Sequence, residues 1–281
     1  MILGTNWSIT NSQDTRYRQD QNLKFQFPKI LFDYSVLVII WLLFLVSWSF
    51  ASDSFSFVVF GDNRDGDDVF MDLIDKVNQE ENISFAVNTG DMVSHGRAEE
   101  YTQYLKMISK LKTQLYHVPG NHDLVGSGYK YYQKHFGPFY YSFDYKNSHF
   151  VVINNAFGGS FDHKQFSWLK NDLEETDKEN IFVFMHKPLF DPSEIYKGHV
   201  MSGRKTADEL RRLFKRNQVD YVVAGHIHGY AKGLRDGIVY VVTGGGGAPL
   251  YLPRNFGGSH HYVRITVNGD KIEDKMVKIY E

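Results

Sequence analysis

The chain contains no cysteine among its 281 residues. That excludes a disulfide framework, thiolate metal sites and a cysteine nucleophile, and leaves any metal to His, Asp, Glu or Asn. It does not fix the redox compartment, because an exported protein need not carry disulfides. Charge of one sign is also lacking: 31 Lys+Arg against 33 Asp+Glu give a formal net charge of -2. No cationic field for nucleic acid results, so nucleic acid is not expected as a partner. Proline is scarce at 7 residues, while hydrophobic residues reach 42%. Collagen-like, low-complexity and wholly disordered chains are thereby excluded. The apolar run near the N-terminus, Val36 to Val46, has only eleven residues. A membrane span needs about 20, whereas the core of a signal peptide needs about 7–15.

That run is followed by Ser49-Phe-Ala51, a small-x-small cleavage pattern, and is preceded by a long polar stretch. Residues 1–52 therefore read as a polar N-terminal stretch plus a signal peptide cleaved after Ala51, or an uncleaved signal anchor that tethers the chain to a membrane through residues 34–52. Arg16, Arg18, Lys24 and Lys29 all precede the run, and the next cationic residue is Arg64. The positive-inside bias then sends residues 53–281 across the membrane, to a periplasmic or extracellular location.

From Phe55 onward, short β-rich runs alternate with amphipathic helices. Phe55 to Phe60 reads as a buried strand, and Val69, Phe70, Leu73, Ile74 and Val77 follow at helical spacing. Ile83 to Val87 and Leu115 to Val118 are further strands, with a helix carrying Tyr101, Leu105 and Ile108 between them. Tyr140 to Tyr145 and Phe150 to Asn154 read as a hairpin. Ile181 to Met185, Tyr221 to Val223, Ile238 to Val242, Tyr262 to Val267 and Ile272 to Ile279 complete the strand set. The alternation implies βαβ units and partly parallel sheet. An α/β fold with two packed sheets and helices outside, in one domain over 53–281, is the economical architecture.

Polar residues fall where such strands end. Asp62, Asp91, Asn121 with His122, His186, and His226 with His228 each follow an apolar run. Ligands of open α/β sheets collect at the carboxyl ends of the strands. Two carboxylates, one amide and four imidazoles on one rim are oxygen and nitrogen donors suited to Mn, Fe or Zn. A shared carboxylate could bridge two ions about 3.5–4 Å apart. Singly, each motif is equally a turn or a helix cap; their ordered recurrence at strand ends is what points to a site.

The ordered series GDNR (61–64), GD (90–91), GNHD (120–123), MHKP (185–188) and GHIH (225–228) resembles the calcineurin-like metallophosphoesterases. The YYSFDY segment at 140–145 and the glycine run after Val241 are similar to the branch nearest the purple acid phosphatases. The resemblance covers residues 55 to 280 and implies an αββα sandwich, two divalent or trivalent ions, and hydrolysis of phosphomonoesters, phosphodiesters or nucleotides. Carried over position by position, it gives Asp62 and His228 to the first metal, Asp91 to both, and Asn121, His186 and His226 to the second. It makes His122 the residue that stabilises phosphoryl oxygens or protonates the leaving group, with Asp123 orienting it.

One position departs from the family pattern. A histidine commonly stands two residues after the first Asp, and here that residue is Arg64. Arginine cannot ligate a metal. It can pair with phosphate oxygens, or it can form a structural ion pair with Asp65, Asp67 or Asp68. The alternative to an exported hydrolase is therefore a catalytically impaired metal-binding domain with a binding role. Of the remaining histidines, His95, His260 and His261 are candidates to approach the cleft, and His199 lies in a lid-like segment from Lys187 to Arg204. His117, His135, His149 and His163 read as packing or surface residues. Gly244 to Gly247 read as tight backbone near the metals, and Phe157, Phe190 or Tyr196 as possible stacking partners for a nucleobase. Substrate identity and oligomeric state are not encoded in any of these motifs.

Overall fold

The computed structural model describes residues 54–281 apart from 158, 160 and 197, together with Trp41. The expected signal segment or tether at 34–52 lies outside these residues but for Trp41. Among the described residues no helix is long and apolar enough to cross a membrane.

Two sheets carry the fold. The first runs in the order β11 (Lys271–Lys278), β10 (His261–Asn268), β1 (Phe55–Phe60), β2 (Ile83–Asn88), β3 (Gln114–His117). The second runs β4 (Tyr141–Tyr145), β5 (Ser148–Val152), β6 (Asn180–Met185), β7 (Tyr221–Ala224), β9 (Ile238–Thr243), β8 (Tyr230–Arg235). Strands β1, β2 and β3 are mutually parallel, as are β5, β6, β7 and β9, while β10, β11, β4 and β8 join antiparallel. Strand β1 shows why: all six of its residues are buried. Phe55, Phe57 and Val59 face the space between the sheets, and Val58 and Phe60 face the outer helices. A strand covered on both faces needs a continuous apolar run rather than an alternating one.

The space between the sheets is filled by aromatic rings. Phe57 lies 5.0 Å from Phe85 and 5.4 Å from Phe150, which stacks at 5.0 Å on Phe182. Helices α1 (Asp67–Val77), α2 (Ala98–Ile108) and α3 (Gly128–Phe136) cover the outer face of the first sheet. Helices α4 (His163–Glu175) and α5 (Arg204–Arg216) cover the second. This is the helix-flanked two-sheet sandwich expected from the sequence. Helices α3 to α5 and strand β8 go beyond the elements read there. Strand β8 (YAKGLR) is an edge strand with an exposed face, so it carries no apolar run to reveal it.

Candidate metal centre

The parallel strands β1, β2, β6 and β7 all end on the same rim, and the chain turns sharply after each. Asp62, Asp91 and His226 all adopt positive φ, at 57°, 56° and 67°. Non-glycine residues are uncommon there and concentrate at functional sites. The glycine run packs against the same turns. Gly246 N–H donates to Gly61 O at 2.8 Å, and Ala248 N–H donates to Asp62 O at 2.8 Å. A Cβ at Gly225 would stand 2.4 Å from the Asp62 carboxylate, so only glycine lets GHIH approach it.

The side chains converge on one point. Oxygen or nitrogen atoms of Asp91, His186 and His226 all lie within 4.8 Å of one another. His186 is fully buried, and its Nδ1–H donates to Thr89 O at 2.9 Å. Its Nε2 then faces Asn121 Oδ1 at 3.1 Å, His226 Nδ1 at 3.1 Å and Asp91 Oδ1 at 3.3 Å. Beside it, His228 Nδ1–H donates to Pro249 O at 2.7 Å, which turns Nε2 toward Asp62 Oδ1 at 3.5 Å. Among the described residues Asp62 Oδ1 is buried without a hydrogen-bond partner, while Oδ2 accepts from His226 N–H at 2.8 Å. Acceptors gathered around acceptors, with an orphaned carboxylate oxygen among them, require a cation in their midst. The donor set fits a metal pair: nitrogen and oxygen ligands, with His186 and His228 each fixed by a backbone carbonyl on the other ring nitrogen.

Electrostatics follow the same logic. Burial opposes charge on His186, but Asp91 and Asp62 outweigh it and push the imidazole up to about 9, so a proton serves as the cation when no metal does. Burial and that neighbouring charge drive His226 down to about 2. Burial works against the Asp91 carboxylate, yet His186 and His122 hold it well below its usual range.

Asp123 corrects an expectation. Its carboxylate does not orient His122. It accepts four backbone N–H groups, from Asp91 at 2.9 Å, Gly120 at 2.7 Å, Met92 at 2.8 Å and Val93 at 3.1 Å. Asp123 thus ties the GD and GNHD turns together, because those turns leave donors without strand partners. His122 is oriented instead by the Ser94 carbonyl, which accepts Nδ1–H at 2.8 Å. That leaves Nε2, one-third exposed with the rest of the side chain, 3.9 Å from Asp91 Oδ2.

Arg64 forms one of the contacts expected of it, the ion pair with Asp65. Its Nη1 pairs with Asp65 at 2.6 Å, while Nε lies 3.6 Å from Asp91 Oδ2 and is buried without a hydrogen-bond partner. An open cleft of about 710 Å³ runs from Arg64 past Asp65, Ser94 and Gln103. On the other flank, Tyr251 stacks on His228 at 3.9 Å, and His199 lies 5.4 Å from Tyr251 and 5.9 Å from His226. The Lys187 to Arg204 segment therefore does reach the centre, pinned by the Tyr196 hydroxyl donating to Tyr251 O at 2.6 Å. Other candidates fall elsewhere. His95 pairs with Glu100 at 3.0 Å at the start of α2. His261 uses both ring nitrogens on Ser259 and Thr243, and His260 Nδ1 donates to Gly245 O at 3.3 Å, so both brace the glycine run. Phe190 is engaged by Tyr240 at 4.7 Å and by the Arg235 guanidinium at 4.8 Å. Ser94, Thr89, Pro249 and Tyr251 were not among the sequence candidates. Three of them act through backbone carbonyls, which leave no mark in residue type.

The family model for calcineurin-like phosphoesterases matches residues 55–230. The chain belongs to that family. Purple acid phosphatase 23 of Arabidopsis thaliana is 28% identical over 181 residues, spanning 58% of this chain and 38% of the relative. The chain spans well under half the length of the curated relatives it matches first. Among solved structures, the purple acid phosphatase PPD1 from yellow lupin superposes with a TM-score of 0.68 at 18% identity, over 82% of this chain and 52% of that one. A dimetal phosphatase from Danio rerio superposes at 0.64 and 16%, over 81% and 97%. These likenesses establish the phosphoesterase sandwich, within which the rim described above is the carboxyl-end face of both sheets.

Proposed function

We propose that this calcineurin-like phosphoesterase is an exported hydrolase of phosphoric esters that works with two metal ions held by the strand-end rim. The observation that carries the reading is the ring of acceptors around His186 Nε2 together with the orphaned Asp62 Oδ1. Asp91 would bridge the two ions, Asn121, His186 and His226 would complete the second, and Asp62 and His228 would hold the first. Such ions, when bound, acidify a water and neutralise phosphoryl charge; Mn, Fe and Zn all suit the donors.

The remaining steps belong to the chain. The buried Arg64 Nε–H would receive a phosphoryl oxygen, since a guanidinium offers several donors and only one here is committed to Asp65. His122 would give its Nε2 proton to the departing alcohol, with Nδ1–H held by Ser94 O so that the ring cannot turn away. The leaving group would lie in the cleft along Arg64 and Gln103. Asp123 acts at one remove, as the strap that fixes Asp91 and Gly120 in register.

The test uses the full chain, purified without chelator and assayed on p-nitrophenyl phosphate and bis-p-nitrophenyl phosphate with and without Mn²⁺, alongside elemental analysis. Metal-dependent turnover supports the hydrolase. The first half-site, with only Asp62 and His228 of its own, favours the second reading of a metal-binding domain without turnover; a folded chain inert with every metal would establish it. Fractionation of expressing cells tests export, and full-length chain confined to the cytosol would refute it.

A further inference from the structure

The turn after β1 carries a second carboxylate, Asp65, which the proposed metal sphere does not use. It has a φ of 61°, in the left-handed region where Asp is one of the few tolerated side chains. Its neighbours pin the backbone there. Arg64 N–H donates to Asp91 O at 3.2 Å, and a Cβ at Gly66 would stand 2.1 Å from Gly247 O. The course of the turn is thereby set, and the two oxygens of Asp65 reach two different partners. Oδ2 accepts from Arg64 Nη1 at 2.6 Å, and Oδ1 accepts from the Ser94 hydroxyl. Ser94 is the residue whose carbonyl takes His122 Nδ1–H at 2.8 Å. A single run of contacts thus leads from Arg64 through Asp65 and Ser94 to His122. Arg64, Asp65 and Ser94 also line the same open cleft.

The Asp65 side chain is 46% exposed, and an ion pair that faces water adds little to stability. What it supplies is direction. A guanidinium is planar, so fixing Nη1 fixes where Nε–H points. That N–H is buried 3.6 Å from Asp91 Oδ2 and has no hydrogen-bond partner among the described residues. Holding the Ser94 hydroxyl at the other oxygen fixes the residue whose carbonyl keeps the His122 ring in place. We propose that Asp65 is a positioning residue that aims both Arg64 and His122, so that binding of the phosphoryl group and protonation of the leaving group depend on one carboxylate. This deepens the phosphoesterase reading and rests on it.

Binding is measured first, on the Mn²⁺-loaded full chain, by calorimetric titration with inorganic phosphate. Asp65→Ala should weaken phosphate about tenfold, the scale of one lost hydrogen bond to a charged group, and about as much as Arg64→Gln does. The double variant should lose no more than Arg64→Gln alone, because a residue that acts through another adds nothing once its partner is gone. Ser94→Ala cuts the other arm. Its phosphate affinity should match the wild type, while kcat falls about tenfold on an alkyl phosphate and hardly at all on p-nitrophenyl phosphate, whose leaving group needs no proton. Asp65→Ala should show both losses together. Asp65→Asn should restore most of both, since its amide oxygen can take Arg64 and its amide nitrogen can donate to the Ser94 hydroxyl, and that rescue excludes misfolding as the cause. Unchanged phosphate affinity in Asp65→Ala, additive losses in the double variant, or an unchanged alkyl-phosphate kcat in Ser94→Ala overturns the inference. If Asp65→Ala weakens phosphate only where Arg64 is present but the wild-type chain hydrolyses no ester, the Arg64 arm stands, and the hydrolase reading falls together with the His122 arm.

Discussion

The two halves of the proposed metal centre are built on the same plan and finished differently. In the second half, Asp91, His186 and His226 already bring their donor atoms within 4.8 Å, with the Asn121 oxygen 3.1 Å from His186 Nε2. In the first, Asp62 and His228 lie 3.5 Å apart, with no further ligand of their own beyond the Asp91 they would share, and Arg64 stands where the resemblance leads us to expect a histidine. Both halves draw their residues from strand ends and lock one imidazole, His186 or His228, through a backbone carbonyl. The difference is thus one of side-chain identity, not of scaffold. A strand-end scaffold fixes where donors can be, while single residues decide how tightly each ion is held and whether a position serves metal or substrate.

The change with the largest expected effect removes what the halves share. Asp91→Ala should strip both ions and lower kcat by about 10³-fold or more, the scale on which losing a preorganised charge-stabilising group is felt. Retention of both ions in that variant would show that the halves are independent. Next comes the residue that belongs to neither half. His122→Asn should cost about 10²–10⁴-fold on an alkyl phosphate, within the range of general acid catalysis, and much less on p-nitrophenyl phosphate, whose leaving group needs no proton. Its metal content should match the wild type, and a parallel loss of metal would make His122 part of the second half instead.

The comparison is sharpened most directly by Arg64→His, which gives the first half the missing ligand. Elemental analysis after dialysis should then rise toward two ions per chain, from a value nearer one, while KM for monoesters rises because the guanidinium is gone. An unchanged metal content would mean that Arg64 does not limit the first half.

How much of this was legible in the sequence follows from which atoms do the work. The residues on the rim announced themselves because a polar side chain directly after a buried strand has few other reasons to be there, and β1 and β6 are apolar throughout. The order of the motifs then identified the family before any geometry. What stayed hidden was carried by the main chain or by long-range packing. Ser94, Thr89 and Pro249 act through carbonyls, so any residue would serve there as far as the sequence is concerned. Asp123 looked like the partner of its neighbour His122. Only the fold reveals four strandless N–H groups converging on it from the turns around Asp91 and Gly120.

The finest distinction between the halves is in protons. With no metal, Asp91 and Asp62 overcome burial and raise His186 to about 9, so at neutral pH the second half holds a proton on a nitrogen that a bound ion would need. A metal must displace it, because an imidazole ligates only when neutral. The sign follows: below pH 9 the proton competes, so affinity in the second half should weaken as pH falls, by up to about tenfold per pH unit for one proton. His226, driven down to about 2 by burial and by His186, has no proton to give at neutral pH and adds nothing to that slope. Calorimetric titration of the chelated full chain with Zn²⁺ in buffers of differing ionisation enthalpy reads the count directly. Release of about one proton for the tightly bound ion is expected. Release of none would mean that His186 is already neutral, and that the acceptors around its Nε2 are kept apart by something other than charge.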